Sequence, residues 1–191
     1  MHRYSLKCLA VFVLFLALAC GQARAGEVED RDAIAEAFIH WRNGNVLHLA
    51  ARYEQAAELF QQSIDAYPTA EGHTFLGWSL SELGRLEDAI AECKKAISLD
   101  SDYGNPYNDI GVYLIQLGRP EEAVPWLHKA IAAERYCCYE FAHANLGRVL
   151  LSQGKIDAAK RSFERALSRN PEYVPAIAGL ELIREHWGQD L

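Results

Sequence analysis

Two adjacent cysteines, Cys137 and Cys138, are the strongest candidates for chemistry in this sequence of 191 residues. They lie in the segment RYCCYEF, among three aromatic residues. One interpretation is a redox switch, either a strained bond between the two sulfurs or a disulfide with a partner. The other is an apolar contact at a turn, because unoxidised cysteine behaves as a small hydrophobe. The sequence leaves both open and favours the apolar contact.

Other arrangements that could support catalysis or metal binding are missing from the sequence. Neither H-E-x-x-H nor C-x-x-C occurs, which argues against a zinc site. The segment GRVLLSQGK has six residues between Gly147 and Gly154, and Ile156 where a phosphate-binding loop needs Ser or Thr. His73 and His143 occupy equivalent places in repeated segments, which favours packing. We predict a protein that is not an enzyme, with no catalytic residue, metal or cofactor.

A repeat of 34 residues organises most of the chain. Its markers are small residues that recur in the same order in three segments: Gly77, Gly84, Ala89 and Ala96; Gly111, Gly118, Ala123 and Ala130; Gly147, Gly154, Ala159 and Ala166. The first two copies are 34 residues apart and the last two are 36 apart, so two residues are inserted near AAERYCCYE. Such spacing predicts repeated units that stack on one another.

Each copy has the pattern of two helices joined by a turn. Leu76 and Leu80 are four residues apart, as on one face of a helix, and Gly84 then marks the turn. In the second half, Cys93 takes the position that phenylalanine fills in two other copies, so we predict that Cys93 is buried. Small residues at fixed places let the two helices approach closely, and each helix needs its neighbours to bury its apolar face.

Three segments resemble tetratricopeptide repeats (TPR): LGWSLSELGRLEDAIAECKKAISLD, IGVYLIQLGRPEEAVPWLHKAIAAE and LGRVLLSQGKIDAAKRSFERALSRNP. An earlier segment, YEQAAELFQQSIDAYP, is similar to the second half of a further, degenerate copy. The resemblance implies an all-α fold, a right-handed α-solenoid of about four helix pairs with a concave groove. The resulting division of the chain is an N-terminal segment 26–36, repeats 37–70, 71–103, 104–139 and 140–173, and a capping helix with a tail, 174–191.

The resemblance also implies that the first helix of each repeat lines the groove and that the partner is a protein or peptide. Carried over to this sequence, the predicted groove residues are Glu71, Thr74, Trp78, Asn105, Asn108, Val112, Phe141 and Arg148, with Trp41, Asn45 and Ala144 at further equivalent positions. Aromatic and arginine side chains usually carry much of the binding energy, and amides can hold an extended backbone.

The N-terminus has the pattern of a secretory signal. After a basic flank, the apolar run Cys8–Cys20 has thirteen residues, too few to cross a bilayer. Ala23-Arg24-Ala25 fits cleavage of a signal 1–25, which predicts a periplasmic or secreted protein. Alternatively, LALAC resembles the lipobox of bacterial lipoproteins; the signal would then be 1–19, and Cys20 would carry a lipid anchor.

The charge of the chain excludes one class of partner. The sequence has 26 acidic and 19 basic residues, a formal charge of −7. Removal of residues 1–25 would leave 16 basic residues against the same 26 acids, a charge of −10. Because an acidic chain repels phosphate backbones, we do not predict nucleic-acid binding.

These observations predict a protein-binding scaffold or adaptor that acts in the cell envelope or outside the cell. One alternative is an assembly factor for an envelope machine, because the signal and repeats are loosely similar to TPR lipoproteins that help type IV pilus secretins assemble. The other is a redox protein that uses Cys137 and Cys138. The sequence leaves the oligomeric state undetermined.

Overall fold

The structure, a computed structural model, describes residues 28, 30–136 and 138–188. Within these ranges the chain forms nine helices: α1 (30–49), α2 (Tyr53–Ala66), α3 (Ala70–Glu82), α4 (Leu86–Leu99), α5 (Asn105–Gln116), α6 (Pro120–Ala132), α7 (Tyr139–Ser152), α8 (Ile156–Arg169) and α9 (Val174–Trp187). The predicted signal 1–25, with Cys20, lies outside the described residues. So does the tail beyond 188.

Glycine ends three of the first helices as the repeat pattern predicts. Gly84, Gly118 and Gly154 have φ values of +76°, +73° and +70°, a conformation that costs glycine little. The turn also supplies hydrogen bonds to carbonyl groups that have no partner within the helix. The N–H of Gly84 donates to the Ser81 carbonyl, and the N–H of Arg85 donates to the Leu80 carbonyl. The chain can therefore reverse within a few residues and begin the second helix of the pair.

Small residues allow the helices of a pair to pack closely. A Cβ atom placed on Gly111 of α5 would lie 2.6 Å from Cδ2 of Leu127 on α6, a side chain that is fully buried. The same relation joins Gly147 of α7 to Phe163 of α8, where the added Cβ would lie 2.7 Å from the ring. Cys93 is also fully buried on α4, which confirms the prediction from its position in the repeat.

The helix pairs stack side by side, with the first helices on the inner side. The second helices α4 and α6 each pack against the first helices before and after them. Contacts also join α3 to α5 and α5 to α7, whereas none joins α4 to α6 or α6 to α8 in the described chain. Because the first helices are the closer set, their shared face is the concave side of the stack. The predicted all-α solenoid of helix pairs is confirmed.

The last helix, α9, covers the end of the stack. Ala176 and Ile183 of α9 are buried against the cluster that contains Phe163 of α8. None of the described helices combines the length and apolar character needed to span a membrane.

Candidate functional site

The two central first helices, α3 and α5, are accessible along one side only. Apart from Ser81 and Ile115 at its border, every residue of these helices that is not buried lies at the spacing i, i+4, i+7, i+11. This spacing keeps side chains on one face of a helix. We call this face, with its equivalent on α7, the inner stripe: Glu71, Phe75, Trp78 and Glu82 on α3; Asn105, Asp109, Val112 and Gln116 on α5; Phe141, Asn145, Arg148 and Ser152 on α7.

The inner stripe contains six of the eight predicted groove residues. The other two of the eight, Thr74 and Asn108, are buried, so the structure corrects their assignment to the accessible face of the groove. The Thr74 hydroxyl donates to the Ala70 carbonyl at 2.7 Å, so it satisfies its own helix and presents nothing to a partner. Asn108 faces α7 instead, where the amide of Asn145 donates to its Oδ1 at 3.2 Å. Ala144, at the equivalent position of α7, is also buried.

A chain of hydrogen bonds crosses the inner stripe from α3 to α7. Nε1 of Trp78 donates to Oδ2 of Asp109 at 2.5 Å. Nδ2 of Asn108 lies 3.4 Å from Oδ1 of the same carboxylate, and Nδ2 of Asn145 donates to Asn108. We call these four residues the polar ladder. Asp109 and Asn145 were missing from the sequence prediction, although the i, i+4, i+7 spacing from Asn105 and Phe141 would have identified both.

The carboxyl group of Asp109 has an unusual environment. Burial raises its pKa to about 7, although the hydrogen bonds from Trp78 and Asn108 act in the opposite direction. Among the described residues, no lysine, arginine or histidine forms an ion pair with it. Burial also raises the pKa values of Cys93 and Tyr113, and the nearby charge of Asp109 adds to both shifts. Asp109 is therefore a partly buried acid without a cationic partner in the described chain.

Aromatic rings continue the groove from α3 toward α1. The ring of Trp78 lies 4.4 Å from Phe75, and Phe75 lies 5.1 Å from Trp41 of α1, measured between centroids. Nε1 of Trp41 is buried and has no hydrogen-bond partner among the described residues. Beside it is a cavity of about 330 Å³, lined by Ile34, Ala37, Phe38, Trp41, Ser63, Tyr67, Thr69 and Glu71. This end of the groove is therefore mainly apolar.

The two inserted residues lengthen the loop between α6 and α7, which folds back along one edge of the groove. Within this loop, Arg135 pairs with Asp102 and Gly104 through its backbone N–H and carbonyl. Its guanidinium forms two ion pairs: Nη1 lies 2.8 Å from Oε1 of Glu71, and Nη2 lies 2.5 Å from Oδ2 of Asp100. Glu71 lies on the inner stripe as predicted, but its carboxylate already has a cationic partner.

Of the two cysteines in the inserted segment, the structure describes Cys138. Cys137 lies outside the described residues, so the possible bond to Cys138 remains a prediction. Cys138 is partly buried and immediately precedes the first residue of α7. Cys93, in contrast, is buried in the core, and burial raises its pKa well above the usual value, which makes its thiolate hard to form.

The two repeated histidines lie away from the inner stripe. Nδ1 of His73 is 2.7 Å from Oε2 of Glu92, which joins α3 to α4. His143 is buried on α7, and burial is the main cause that lowers its pKa. Within the described ranges, no group of His, Cys, Asp and Glu residues has the arrangement of a metal site.

The repeats of the chain match a known family. Three family models, each described as tetratricopeptide repeat, match residues 50–104, 107–135 and 141–173. Together the matches cover more than half of the sequence. The chain belongs to the tetratricopeptide repeat family.

Relatives of this TPR protein are longer than the chain itself. DnaJ homolog subfamily C member 3 of Mus musculus is 34% identical over 103 residues, which are 53% of this chain and 20% of the relative. The TPR repeat-containing protein YpiA of Bacillus subtilis is 23% identical over 149 residues, or 78% of this chain and 35% of YpiA. The TPR chain therefore spans between a fifth and about a third of the length of these relatives.

Solved TPR structures share the fold over most of the chain. MamA has a TM-score of 0.66 at 25% identity and covers 80% of this chain and 83% of its own. PilF of Pseudomonas aeruginosa has a TM-score of 0.69 at 24% identity, covering 81% and 78%. PilW reaches a TM-score of 0.73 at 22% identity, covering 80% and 70%. At these last two identities the likeness shows the fold alone.

Proposed function

We propose that this TPR protein is a non-enzymatic scaffold or adaptor that binds a protein or peptide partner in its concave groove. The inner stripe is the observation that carries the proposal. On α3 and α5, nearly all side chains off this stripe are buried, so the stripe residues are the ones that these helices present to a partner. TPR neighbours are typically scaffolds of this kind, which supports the same role.

The composition of the inner stripe suits recognition of a polypeptide. The rings of Phe75 and Trp78 offer partly exposed aromatic area, which often carries binding energy. Asn105 and Asn145 lie on the same stripe, and amide side chains can bond with an extended backbone. Arg148 is exposed on α7 and forms no ion pair with another described residue, so it provides a cation for an acidic group of the partner.

Affinity capture with a groove variant tests the proposal. The mature protein and the double variant Trp78→Ala/Arg148→Ala would be used in parallel on an envelope extract, with circular dichroism to show that both are helical. A matched control is Trp187→Ala/Arg161→Ala, which changes the same residue types beside a cavity between α8 and α9, off the inner stripe. A partner held by the wild type and the control, and lost by the groove variant, is the expected result. A partner held equally by all three would contradict groove binding.

The proposed location is the envelope or the exterior of the cell. This part of the proposal comes from the signal-like sequence 1–25, and the fold shared with PilF and PilW is compatible with it. Fractionation of cells and the mass of the mature protein test it. A chain that begins at Gly26 supports a secreted or periplasmic form, and a chain lipidated at Cys20 supports a membrane-anchored one. An intact N-terminus in the cytoplasmic fraction would contradict export.

An envelope assembly role is a second candidate. It is suggested by the combination of the predicted signal with the fold of PilW, a protein described as a widely conserved type IV pilus biogenesis factor. This role requires that loss of the protein changes the assembly state of an envelope complex without changing the amounts of its subunits. Native gel separation of membrane complexes from cells with and without the gene would measure this.

The redox alternative depends on Cys137 and Cys138 and has its own test. If the two thiols react, the variant Cys137→Ser/Cys138→Ser should lose the redox activity. If they are apolar contacts, the variant should retain partner capture. Mass spectrometry of thiol-blocked protein would show in addition whether a disulfide involves either residue.

A further inference from the structure

Asp109 occupies the centre of the inner stripe and has acceptor capacity that its neighbours do not use. It lies on α5, between the stripes of α3 and α7. The two donors on its carboxylate, the indole of Trp78 and the amide of Asn108, are both neutral. An ionised carboxylate can accept about four hydrogen bonds, so about two acceptor sites remain for another donor. Burial of a carboxylate without a cation is costly, and such groups are common at functional sites.

The charges around Asp109 favour a basic ligand. On α3, the same stripe presents the exposed carboxylate of Glu82, which forms no ion pair within the described chain. The cation at the groove edge, Arg135, is held by Glu71 and Asp100. The remaining cation of the stripe, Arg148, lies on α7. The centre of the groove is thus acidic, in a chain whose formal charge is −7.

We propose that the groove recognises an extended segment of its partner by one basic side chain, a lysine or arginine whose cationic head pairs with Asp109. The aliphatic stem of that side chain would lie against the ring of Trp78, where a cation also gains from the aromatic face. The amides of Asn105 and Asn145 would bond with the backbone of the segment. This inference rests on the proposed function and specifies the partner that the groove would bind.

The proton on Asp109 links this recognition to pH. Because burial raises the pKa of this carboxyl to about 7, the ionised form that pairs with a cation becomes dominant only above neutral pH. Affinity for a basic segment is therefore expected to rise with pH, and binding should release protons. If the ionised form alone binds, the apparent affinity would improve roughly tenfold between pH 6 and pH 8.

Other titratable groups near Asp109 are not expected to produce this pH dependence. Cys93 on α4 and Tyr113 on α5 have raised pKa values, because both are buried, and stay neutral in this range. Leu127 of α6 is one of the apolar residues that cover one side of α5. The charged residues of the inner stripe on α3 and α7 are Glu71, which pairs with Arg135, Glu82 and Arg148. His48 of α1 contacts the ring of Trp78, and burial lowers its pKa. A variant of Asp109 that leaves His48 in place separates these contributions.

The first experiment is selection from a phage-displayed library of random nine-residue peptides at pH 8. Wild-type protein, Asp109→Asn and the control Asp65→Asn would each serve as bait. Asp65 is an exposed aspartate on α2, so its variant loses the same charge outside the groove. The amide oxygen introduced by Asp109→Asn can still accept the indole hydrogen bond of Trp78, and circular dichroism would check that all three proteins are equally helical.

The inference expects one peptide position to be enriched in lysine or arginine with the wild type and the control, and not with Asp109→Asn. If the wild type selects peptides without a basic position, the role of Asp109 is overturned while groove binding stands. If a basic position is enriched equally with all three proteins, Asp109 is not the group that recognises it. If no peptide is selected in the groove, both the inference and the proposed peptide-binding function fail.

Binding of a selected peptide, followed by fluorescence anisotropy from pH 6 to pH 8.5, gives the second measurement. The wild-type affinity should rise with pH about tenfold. With Asp109→Asn it should be at least roughly tenfold weaker at pH 8 and nearly independent of pH. Replacing the basic residue of the peptide with norleucine should remove the same pH dependence. An unchanged pH profile in Asp109→Asn would overturn the inference.

Discussion

The indole N–H of Trp78 on α3 donates to the carboxylate of Asp109 on α5 at 2.5 Å. These residues are 31 positions apart and belong to successive helix pairs, so the bond connects two repeats across the floor of the groove. Its acceptor is a carboxyl whose pKa is raised to about 7 by burial. Packing between repeats and the charge state of the groove are therefore connected through one hydrogen bond, with consequences for both stability and binding.

Asp109→Asn is expected to raise the free energy of unfolding at pH 8 and to change it little near pH 4. The ordinary pKa of an aspartate is 3.8, and burial raises that of Asp109 to about 7 in the folded chain. Between these values the folded state binds more protons than the unfolded state, so the free energy of unfolding falls as pH rises from about 4 to about 7. Asparagine removes this cost, and the difference should approach about 4 kcal/mol above pH 7.

Urea unfolding followed by circular dichroism at pH 4.5, 6 and 8 measures that difference. Asp65→Asn is the control, because it removes the same charge at an exposed position outside the groove. A variant of Asp109 that is equally destabilised at all three pH values would show that this carboxyl titrates normally in the folded protein.

Trp78→Phe should destabilise the protein more at pH 8 than at pH 5. Phenylalanine keeps an aromatic ring next to Phe75, whose centroid is 4.4 Å from that of Trp78, but it removes the N–H donor. Since that hydrogen bond lowers the pKa of Asp109, its loss leaves the ionised form less stable. We expect a cost of roughly 1–2 kcal/mol at pH 8. In the background of Asp109→Asn the cost should not depend on pH, and a pH-dependent cost there would contradict the mechanism.

Gly111→Ala should destabilise the fold more than Gly77→Ala, although both glycines occupy equivalent places. A Cβ on Gly111 would lie 2.6 Å from Cδ2 of Leu127, whereas a Cβ on Gly77 would lie 3.3 Å from the Ala89 carbonyl oxygen and 3.4 Å from Sγ of Cys93. We expect a loss of roughly 1–3 kcal/mol for Gly111→Ala and a change near zero for Gly77→Ala. The bulkier Gly111→Val should unfold α5 and α6 locally.

Thermal and urea unfolding of the two alanine variants provides the test. Equal stability of both variants would mean that Leu127 moves aside without cost, and the close approach of α5 and α6 would then not explain why this position holds glycine.

Arg135→Gln should loosen the loop before α7 more than it changes overall stability. The guanidinium binds Glu71 and Asp100 and also lies 4.3 Å from the ring centroid of Tyr103. Exposed ion pairs contribute little to unfolding free energy, but here they hold a loop whose backbone pairs with residues 102 and 104. Hydrogen exchange of the Gly104 and Arg135 amides should therefore become faster.

The matched control for this prediction is Arg119→Gln. Arg119 also binds two acids, Glu87 and Glu122, but at the turn between α5 and α6. Its loss should leave exchange at Gly104 unchanged. Faster exchange at Gly104 in both variants would indicate a general effect of lost charge rather than a local effect of Arg135.

Repeat spacing, helix pairing and the burial of Cys93 were predictable from the sequence because they depend on local pattern. Glycine at positions 84, 118 and 154 ends a helix through its own backbone freedom, and the values of φ at all three confirm it. The position of Cys93 between apolar residues spaced three and four apart similarly indicates a buried face. These features follow from residues that are close in sequence, and the same arrangement is repeated in each copy.

The lining of the groove was only partly predictable. The resemblance assigned residues by position, and Thr74 and Asn108 proved to be buried because adjacent helices cover the border of the inner stripe. The role of Asp109 depends on Trp78, in the preceding repeat. The role of Glu71 depends on Arg135, which is 64 residues away. Neither relation has a local pattern that would reveal it.

By itself, the sequence determined that this chain is a stack of helix pairs, since periodic small and apolar residues permit few other ways to bury their faces. Only the tertiary structure decided which side chains remain accessible and which charged side chains are neutralised by burial or by an ion pair. The reason is physical: helix formation depends on neighbours along the chain, whereas the pKa of Asp109 and the pairing of Arg135 depend on burial and on charges that distant residues bring together.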